Sequence, residues 1–309
     1  MKQYDVMIPL GNGSQWDNKE LRYTLRAIEK NLKGYRNIII VGQKPDWLQN
    51  VIHIPADDPL TSNADGNITL KTLKVCNRSD VTDDFLFMND DHLITHPVHV
   101  EDIPDYYKKD FEAYEKSYWN NSLHRIRVYR TWQALKAGGY STINFELHVP
   151  NLINKAKYVD AVNRFPFDKD FGLCPKSLYG NLAVSWYTMK QIKDPTIFQK
   201  KSLEKIKAQF ENSEIPHVAY NDDGLNANLK YYLHKAFPEK SNFEKYDLTL
   251  DPSVLIKKYL EKEKPDYQEG VELYNLYGKN KNIKKLLRKG ETNRTREKLM
   301  WKLEQLTQY

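Results

Sequence analysis

The chain has 309 residues, of which 40% are hydrophobic, 28% charged and 12% aromatic, a balance that supports a sizeable core and excludes a disordered or collagen-like chain. With only Cys76 and Cys174 there is no disulfide framework and no thiolate zinc site; with no 18-residue apolar run or signal-peptide core, the chain reads as a soluble cytoplasmic protein, a phage-encoded intracellular one included. The formal charge of +6 is concentrated near the C-terminus, where residues 279–302 hold ten basic and two acidic side chains against 37 basic and 39 acidic elsewhere.

Tyr4 to Leu10 is a short apolar run that ends in Gly11-Asn12-Gly13-Ser14, the pattern of a strand followed by a tight loop. Asp17 or Asn18 can cap a helix whose apolar residues Leu21, Leu25, Ile28 and Leu32 fall at helical spacing, and Gly34 stops it. The β-branched run Asn37 to Val41 suits a strand buried on both faces, and Val51 to Ile54 is a second short strand after a Pro45-Asp46-Trp47-Leu48 turn. Ile68, Leu70, Leu73 and Val75 mark another helix, and Asp84 to Met88 another buried strand. This alternation predicts an α/β fold, with a mostly parallel central sheet flanked by helices.

Residues 97–140 read as a helical insertion rich in aromatic and basic side chains, Arg125 and Trp132 among them. Asn144 to His148 has strand character, Lys155 to Phe165 is a helix stopped by Pro166, and Ile215 to Tyr220 is the last strand. The expected organisation is a catalytic domain over residues 1–250 and a helical, basic segment over residues 251–309.

The most informative segment is Phe85-Leu86-Phe87-Met88-Asn89-Asp90-Asp91-His92, an apolar strand running straight into two carboxylates. In an open α/β sheet, ligands bind beyond the carboxyl ends of the strands. Two adjacent carboxylates repel unless a proton or a cation lies between them, and a hard cation such as Mg²⁺ or Mn²⁺ also neutralises a diphosphate leaving group. A turn or helix-capping role is the alternative. A second acidic pair, Asn221-Asp222-Asp223-Gly224, also follows a strand and reads equally as a turn; convergence of the two pairs would make a carboxylate-rich site. The Gly11–Ser14 loop is neither a Walker loop nor a full Rossmann fingerprint. Taken singly, His148 reads as structural, and Arg22, Lys71 and Lys176 as solvated charges.

Four segments occur together in one order. They are Trp16 to Lys30 with Pro45-Asp46-Trp47-Leu48; Phe85 to Asp91; Leu147-His148-Val149-Pro150 with Arg164-Phe165-Pro166; and Tyr220 to Asp223 with Phe237-Pro238-Glu239-Lys240-Ser241-Asn242-Phe243-Glu244. In this order they resemble the conserved regions of the Stealth family, which includes bacterial capsule hexose-1-phosphate transferases and the phosphotransferase that tags lysosomal enzymes in animals. The resemblance implies a nucleotide-sugar-dependent transferase with a GT-A-like sheet and a Mg²⁺ or Mn²⁺ cofactor, UDP being the expected nucleotide. It implies a catalytic set of Asp90, His148 and Asp222, with Asp91 on the metal. The donor-binding candidates are Leu10, Gly11, Gly13, Ser14, Arg22, Lys71 and Lys176, the last standing where the family has an arginine. The family's first region normally ends in two acids that Pro9 to Ser14 lacks, which leaves glycosyl and sugar-phosphate transfer both open.

For the acceptor, the basic segment with Lys284, Lys285 and Arg288 suits a polyanion, and Arg125 and Trp132 offer surfaces for unstacked bases. Hydroxymethylated DNA is the favoured acceptor on this reading. An anionic capsule or surface polysaccharide taking a sugar-1-phosphate is the alternative, and a non-catalytic nucleic-acid-binding module is the second.

Overall fold

In the computed structural model, which describes residues 2–115 and 122–246, the first apolar run is strand β1 (Tyr4–Leu10), buried at every position. Helix α1 (Lys19–Asn31) buries Leu21, Leu25 and Ile28 on its inner stripe. Asn18 stands at its N-cap in the left-handed region, and its side chain makes no capping bond. The Ser14 hydroxyl serves this turn instead, accepting from the amides of Trp16 (3.1 Å) and Asn18 (2.7 Å). After β2 (Leu32–Lys33), Gly34 at φ +79° turns the chain into β3 (Tyr35–Gly42). Then come β4 (Ile52–Ile54), α2 (Ala64–Cys76) and β5 (Asp84–Phe87).

Beyond β5 the elements are shorter: β6 (His92–Ile94), β7 (Val98–His99), β8 (Asp105–Tyr107), α3 (Leu123–Ala137) and β9 (Asn151–Asn154). They are followed by α4 (Lys155–Asn163), α5 (Pro175–Ala183), β10 (Met189–Gln191) and β11 (Thr196–Ile197). The last described elements are α6 (Leu203–Phe210), β12 (His217–Tyr220) and α7 (Ala227–Ala236).

The central sheet runs β4-β3-β1-β5-β9, parallel throughout except for the antiparallel edge strand β9. Alternation along β1 divides the core. Val6, Ile8 and Leu10 pack with Leu21, Leu25 and Ile28 of α1, while Met7 packs with Val75 of α2 and with Tyr158 and Val162 of α4. The fold is therefore α/β with helices on both faces of a parallel-rich sheet. A second sheet, β11-β12-β6, stands beside it, with β12 antiparallel to β6.

Two expected elements differ. Residues 97–140 are not uniformly helical: Pro97 and Pro104 interrupt the run, and Asp105–Tyr107 pairs in parallel with β10. Among its described residues, only Leu123–Ala137 is a full α-helix. Residues 144–148 are irregular, because the Asn144 side-chain oxygen accepts from the Glu146 amide (2.8 Å) and folds the segment on itself. The strand falls later, as β9. The expected helical segment 251–309 lies outside the described residues.

Candidate active site

The Asp90–Asp91 pair stands where the chain leaves one sheet for the other. Ladder pairing persists one residue past β5, the Met88 amide donating to Met7 O at 2.9 Å, and β6 begins at His92. In between, the His92 amide donates to Asn89 O (3.2 Å), and the Thr24 hydroxyl of α1 donates to Asp90 O (2.6 Å). The second acidic pair arrives by register: β6 and β12 pair antiparallel with His92 opposite Ala219, so the start of one lies beside the end of the other. That brings Asp222 to the cleft that Asp90 and Asp91 line. The Asn221–Gly224 segment is a turn as well as part of this wall. The Gly224 amide donates to Asn221 O, and a Cβ at Gly224 would collide with the carbonyl of Ile197.

The cleft measures about 450 Å³. Gly11, Gly13, Ser14 and Lys71 line it together with the three aspartates. Leu10 contributes from behind: its side chain is in the core and its carbonyl accepts from Lys71 Nζ (3.0 Å). Lys71 also pairs with Asp58 (2.7 Å), a cleft residue that nothing in the local sequence marks. Glu20 is the other addition. It sits in the first turn of α1, is only 8% exposed, lines the cleft, and leaves Oε2 without a hydrogen bond.

This crowding of acids shows in their protonation. Burial first, and then the Glu20 charge, pushes the Asp90 carboxyl up to about 7. Burial and the neighbouring Asp90 hold Asp91 well above the usual carboxylate range. Asp91 Oδ2 lies 3.9 Å from His148 Nδ1, and its Oδ1 lies 3.8 Å from His92 Nε2. Ligand atoms of all three side chains fall within 4.8 Å of one another. His148 Nδ1, Asp91 Oδ1 and His92 Nε2 are all buried without a hydrogen bond, and the lone pairs of the first two can be offered to a cation. His92 fits that role less well. Its Nδ1 accepts the Asn89 amide (3.2 Å), which places the proton of the neutral ring on Nε2, so His92 faces Asp91 as a donor. A divalent cation therefore fits Asp91 and His148, with Asp90 alongside and His92 behind.

Lys176, in the first turn of α5, does not line the large cleft. Its Nζ donates to the carbonyls of Leu147 (2.7 Å) and Val149 (3.2 Å), the residues on either side of His148. Burial lowers its pKa to about 8. It straps the His148 loop in place. It also lines a smaller cavity that shares Asn89 with the cleft.

The structure does not bring Arg22 to the cleft. Its Nη1 donates to Glu244 Oε2 (2.6 Å), and its guanidinium lies 4.1 Å from the centre of the Trp47 ring, so it is a buried packing cation. Arg125 and Trp132 sit on α3 and line neither cavity. Trp132 packs against Tyr129, its indole N–H donates to Glu112 (3.2 Å), and Lys136 Nζ lies 5.1 Å from its ring centre. Lys284, Lys285 and Arg288 lie outside the described residues. Among the described residues no helix is long and apolar enough to cross a membrane.

No protein-family model matches the sequence, and no curated protein matches it. Among solved structures, the chain is similar to the galactosyltransferase LgtC in complex with donor and acceptor sugar analogs, at 11% identity and a TM-score of 0.42, over 77% of this chain and 98% of that one. It is similar to the glycosyltransferase GlyE of Streptococcus pneumoniae at 10% identity and a TM-score of 0.39, over 78% of this chain and 61% of that one. It is also similar to mouse xyloside xylosyltransferase 1 in its apo form, at 8% identity and a TM-score of 0.36, over 73% of this chain and all of that one (100%). At these scores the functional reading rests on the geometry of the cleft.

Proposed function

We propose that the chain is a metal-dependent glycosyltransferase that draws its sugar from a nucleotide diphosphate donor, a UDP-sugar foremost. One observation carries the reading: Asp90 and Asp91 end a buried strand in a cleft shared with Gly11–Ser14 and Asp222, with Asp91 Oδ1 and His148 Nδ1 buried and unbonded. Asp91 and His148 are the residues to hold Mg²⁺ or Mn²⁺, and an imidazole in the donor set favours Mn²⁺. When bound, the ion supplies positive charge to the departing diphosphate. In the transfer, the acceptor hydroxyl oxygen bonds to the anomeric carbon as the bond from that carbon to the diphosphate oxygen breaks. The diphosphate leaves with the electron pair, and Asp222 takes the hydroxyl proton. Lys71 offsets negative charge at the end of β1, and Lys176 keeps His148 in position.

The test is release of UDP from a panel of UDP-sugars with and without MnCl₂. Release should need the metal and fall at least about 100-fold in Asp91→Asn. No metal-dependent release across the panel refutes the proposal. Donor-independent retention of DNA without turnover would favour the nucleic-acid-binding module. Phosphorus in the product would favour sugar-1-phosphate transfer, the alternative that the order of the four segments supports. A hydroxymethylated-DNA acceptor draws its support from residues 279–302, so truncation after Gly278 should weaken DNA retention without reducing UDP release. A reducing cytoplasm suits the two free thiols, Cys76 and Cys174.

A further inference from the structure

The smaller cavity is not needed to hold a nucleotide, and its lining has a chemistry of its own. It encloses about 100 Å³, several times the ~10–15 Å³ that one water requires. Asn89 and Asn151 line this space, the Oδ1 of each is buried without a hydrogen bond, and Asn151 is only 8% exposed. Buried acceptors left unpaired call for donors, and the carboxylates of Asp105 and Glu146 on the same wall, which already accept from Thr188 and Ser177, each keep a second oxygen that can accept. The lysine on the wall, Lys176, is already committed to two backbone carbonyls.

On one side the wall continues into an uncharged loop, Ser185–Thr188, pinned at both ends to residues of the cavity. The Val184 amide donates to Gly180 O (3.4 Å). The Thr188 hydroxyl donates to Asp105 Oδ2 (2.7 Å), and the Asp105 amide donates to Thr188 O (3.1 Å). Between the pins, Trp186 and Tyr187 are 69% and 99% exposed, the two most exposed large hydrophobic side chains among the described residues. Rings held out on a fixed loop beside a cavity that demands hydroxyl donors match a pyranose, which offers hydroxyls at its edge and an apolar C–H face. The loop itself carries no cation between residues 185 and 188, and the cavity wall beside it carries the carboxylates Asp105 and Glu146, a lining that suits a neutral sugar better than a phosphodiester. A nucleotide sugar ends at its sugar, so a platform beyond the cavity serves a longer molecule.

We propose that this cavity and the Trp186–Tyr187 platform form the acceptor subsite for a neutral oligosaccharide, one ring donating hydroxyls to Asn89 and Asn151 and the next stacking on the aromatic pair. Its role as the acceptor end rests on the transferase reading; its affinity for carbohydrate does not.

The experiment is saturation-transfer NMR on the full chain, without donor, using lactose, maltotriose, cellotriose and chitotriose, with a hydroxymethylcytosine DNA duplex as competitor. At least one oligosaccharide should bind with a Kd of about 1–10 mM, undisturbed by the duplex. The double variant W186A/Y187A, whose side chains project into solvent, should weaken that binding about tenfold or more. Asn151→Leu should weaken it from inside the cavity. The proposal is overturned if no oligosaccharide binds, if W186A/Y187A binds as wild type does, or if the duplex displaces the sugar. UDP binding with MnCl₂ is measured on the same samples. Loss of UDP binding with carbohydrate binding retained refutes the donor reading and leaves the subsite standing; the converse refutes the subsite alone.

Discussion

Replacing Asp91 by Asn should change stability with opposite signs in the absence and presence of a divalent cation. Two unit charges ~5 Å apart at an effective dielectric of ~20 repel by about 3 kcal/mol. Asp90 is raised to about 7 and Asp91 is held well above the usual carboxylate range, so at neutral pH the folded state either keeps part of this repulsion or takes up a proton to avoid it, and asparagine at position 91 relieves about 1–2 kcal/mol. One kcal/mol moves the Tm of a chain this size by about 2–4 °C. In EDTA the variant should therefore melt about 2–8 °C above wild type. In MnCl₂ at ~100 times its Kd, wild type gains about 2.7 kcal/mol by linkage. The variant has lost a carboxylate ligand and gains little, so the order of melting inverts. Differential scanning calorimetry in both buffers measures the pair of shifts. A variant that melts below wild type in EDTA, or that Mn²⁺ stabilises as much as it does wild type, refutes a crowded carboxylate site that accepts a cation.

Glu244→Ala should cost about 3–5 kcal/mol, because it leaves Arg22 and Arg26, whose side chains are at most 4% exposed, without the carboxylate they share; a urea midpoint within error of wild type would contradict this. Lys176→Met keeps the stem and drops the two bonds that flank His148. It should lower kcat about tenfold while leaving the KM for donor near wild type; a rise in KM alone would place Lys176 on the donor instead. Asp5→Asn addresses acid stability. Burial raises the Asp5 carboxyl, but bonds from Arg36, the Thr82 amide and Asn37 overcome this and hold its pKa below the usual value. Its contribution is therefore present above the unfolded pKa of about 3.9 and is lost as pH falls through the folded value. Urea midpoints between pH 5 and pH 3 should fall less steeply in the variant, and parallel curves would show that Asp5 is not the group responsible.

The βα alternation of the first ninety residues is legible because apolar spacing and local propensity agree there: β1, α1, β3 and β5 all fall where their patterns put them. Residues 144–148 have equally apolar spacing, yet a single Asn144 side chain diverts the backbone, and no periodicity reports a hydrogen bond of that kind. The strand end at Asp90–Asp91 is legible for the same reason as β5. Its meeting with Asp222 depends on the β6–β12 register, a long-range pairing of two short strands that carries no local signal. Glu20, Asp58 and Asn151 reach the two cavities through tertiary placement alone, each being an ordinary polar residue in its own segment.

Residues from the four segments singled out in the sequence fall into two physical groups in the fold. Arg22 of the first segment, Trp47 of the Pro-Asp-Trp-Leu turn and Glu244 of the last segment meet at one buried ion cluster. There the Lys245 amide donates to Trp47 O (2.8 Å) and the Gln49 amide donates to Phe243 O (2.9 Å), so residues some two hundred positions apart clasp α1 together. Asp91 and His148 come from the other segments and stand 3.9 Å apart at the site, with Asp222 on the same cleft. The first group fixes α1. The Thr24 hydroxyl of α1 in turn holds the Asp90 carbonyl, and Glu20 of α1 raises the Asp90 carboxyl. Fold-stabilising and chemical residues are thus coupled through one helix. Loosening the Glu244 clasp should disturb turnover by moving Thr24 and Glu20, whereas loss of Asp91 should leave the clasp untouched.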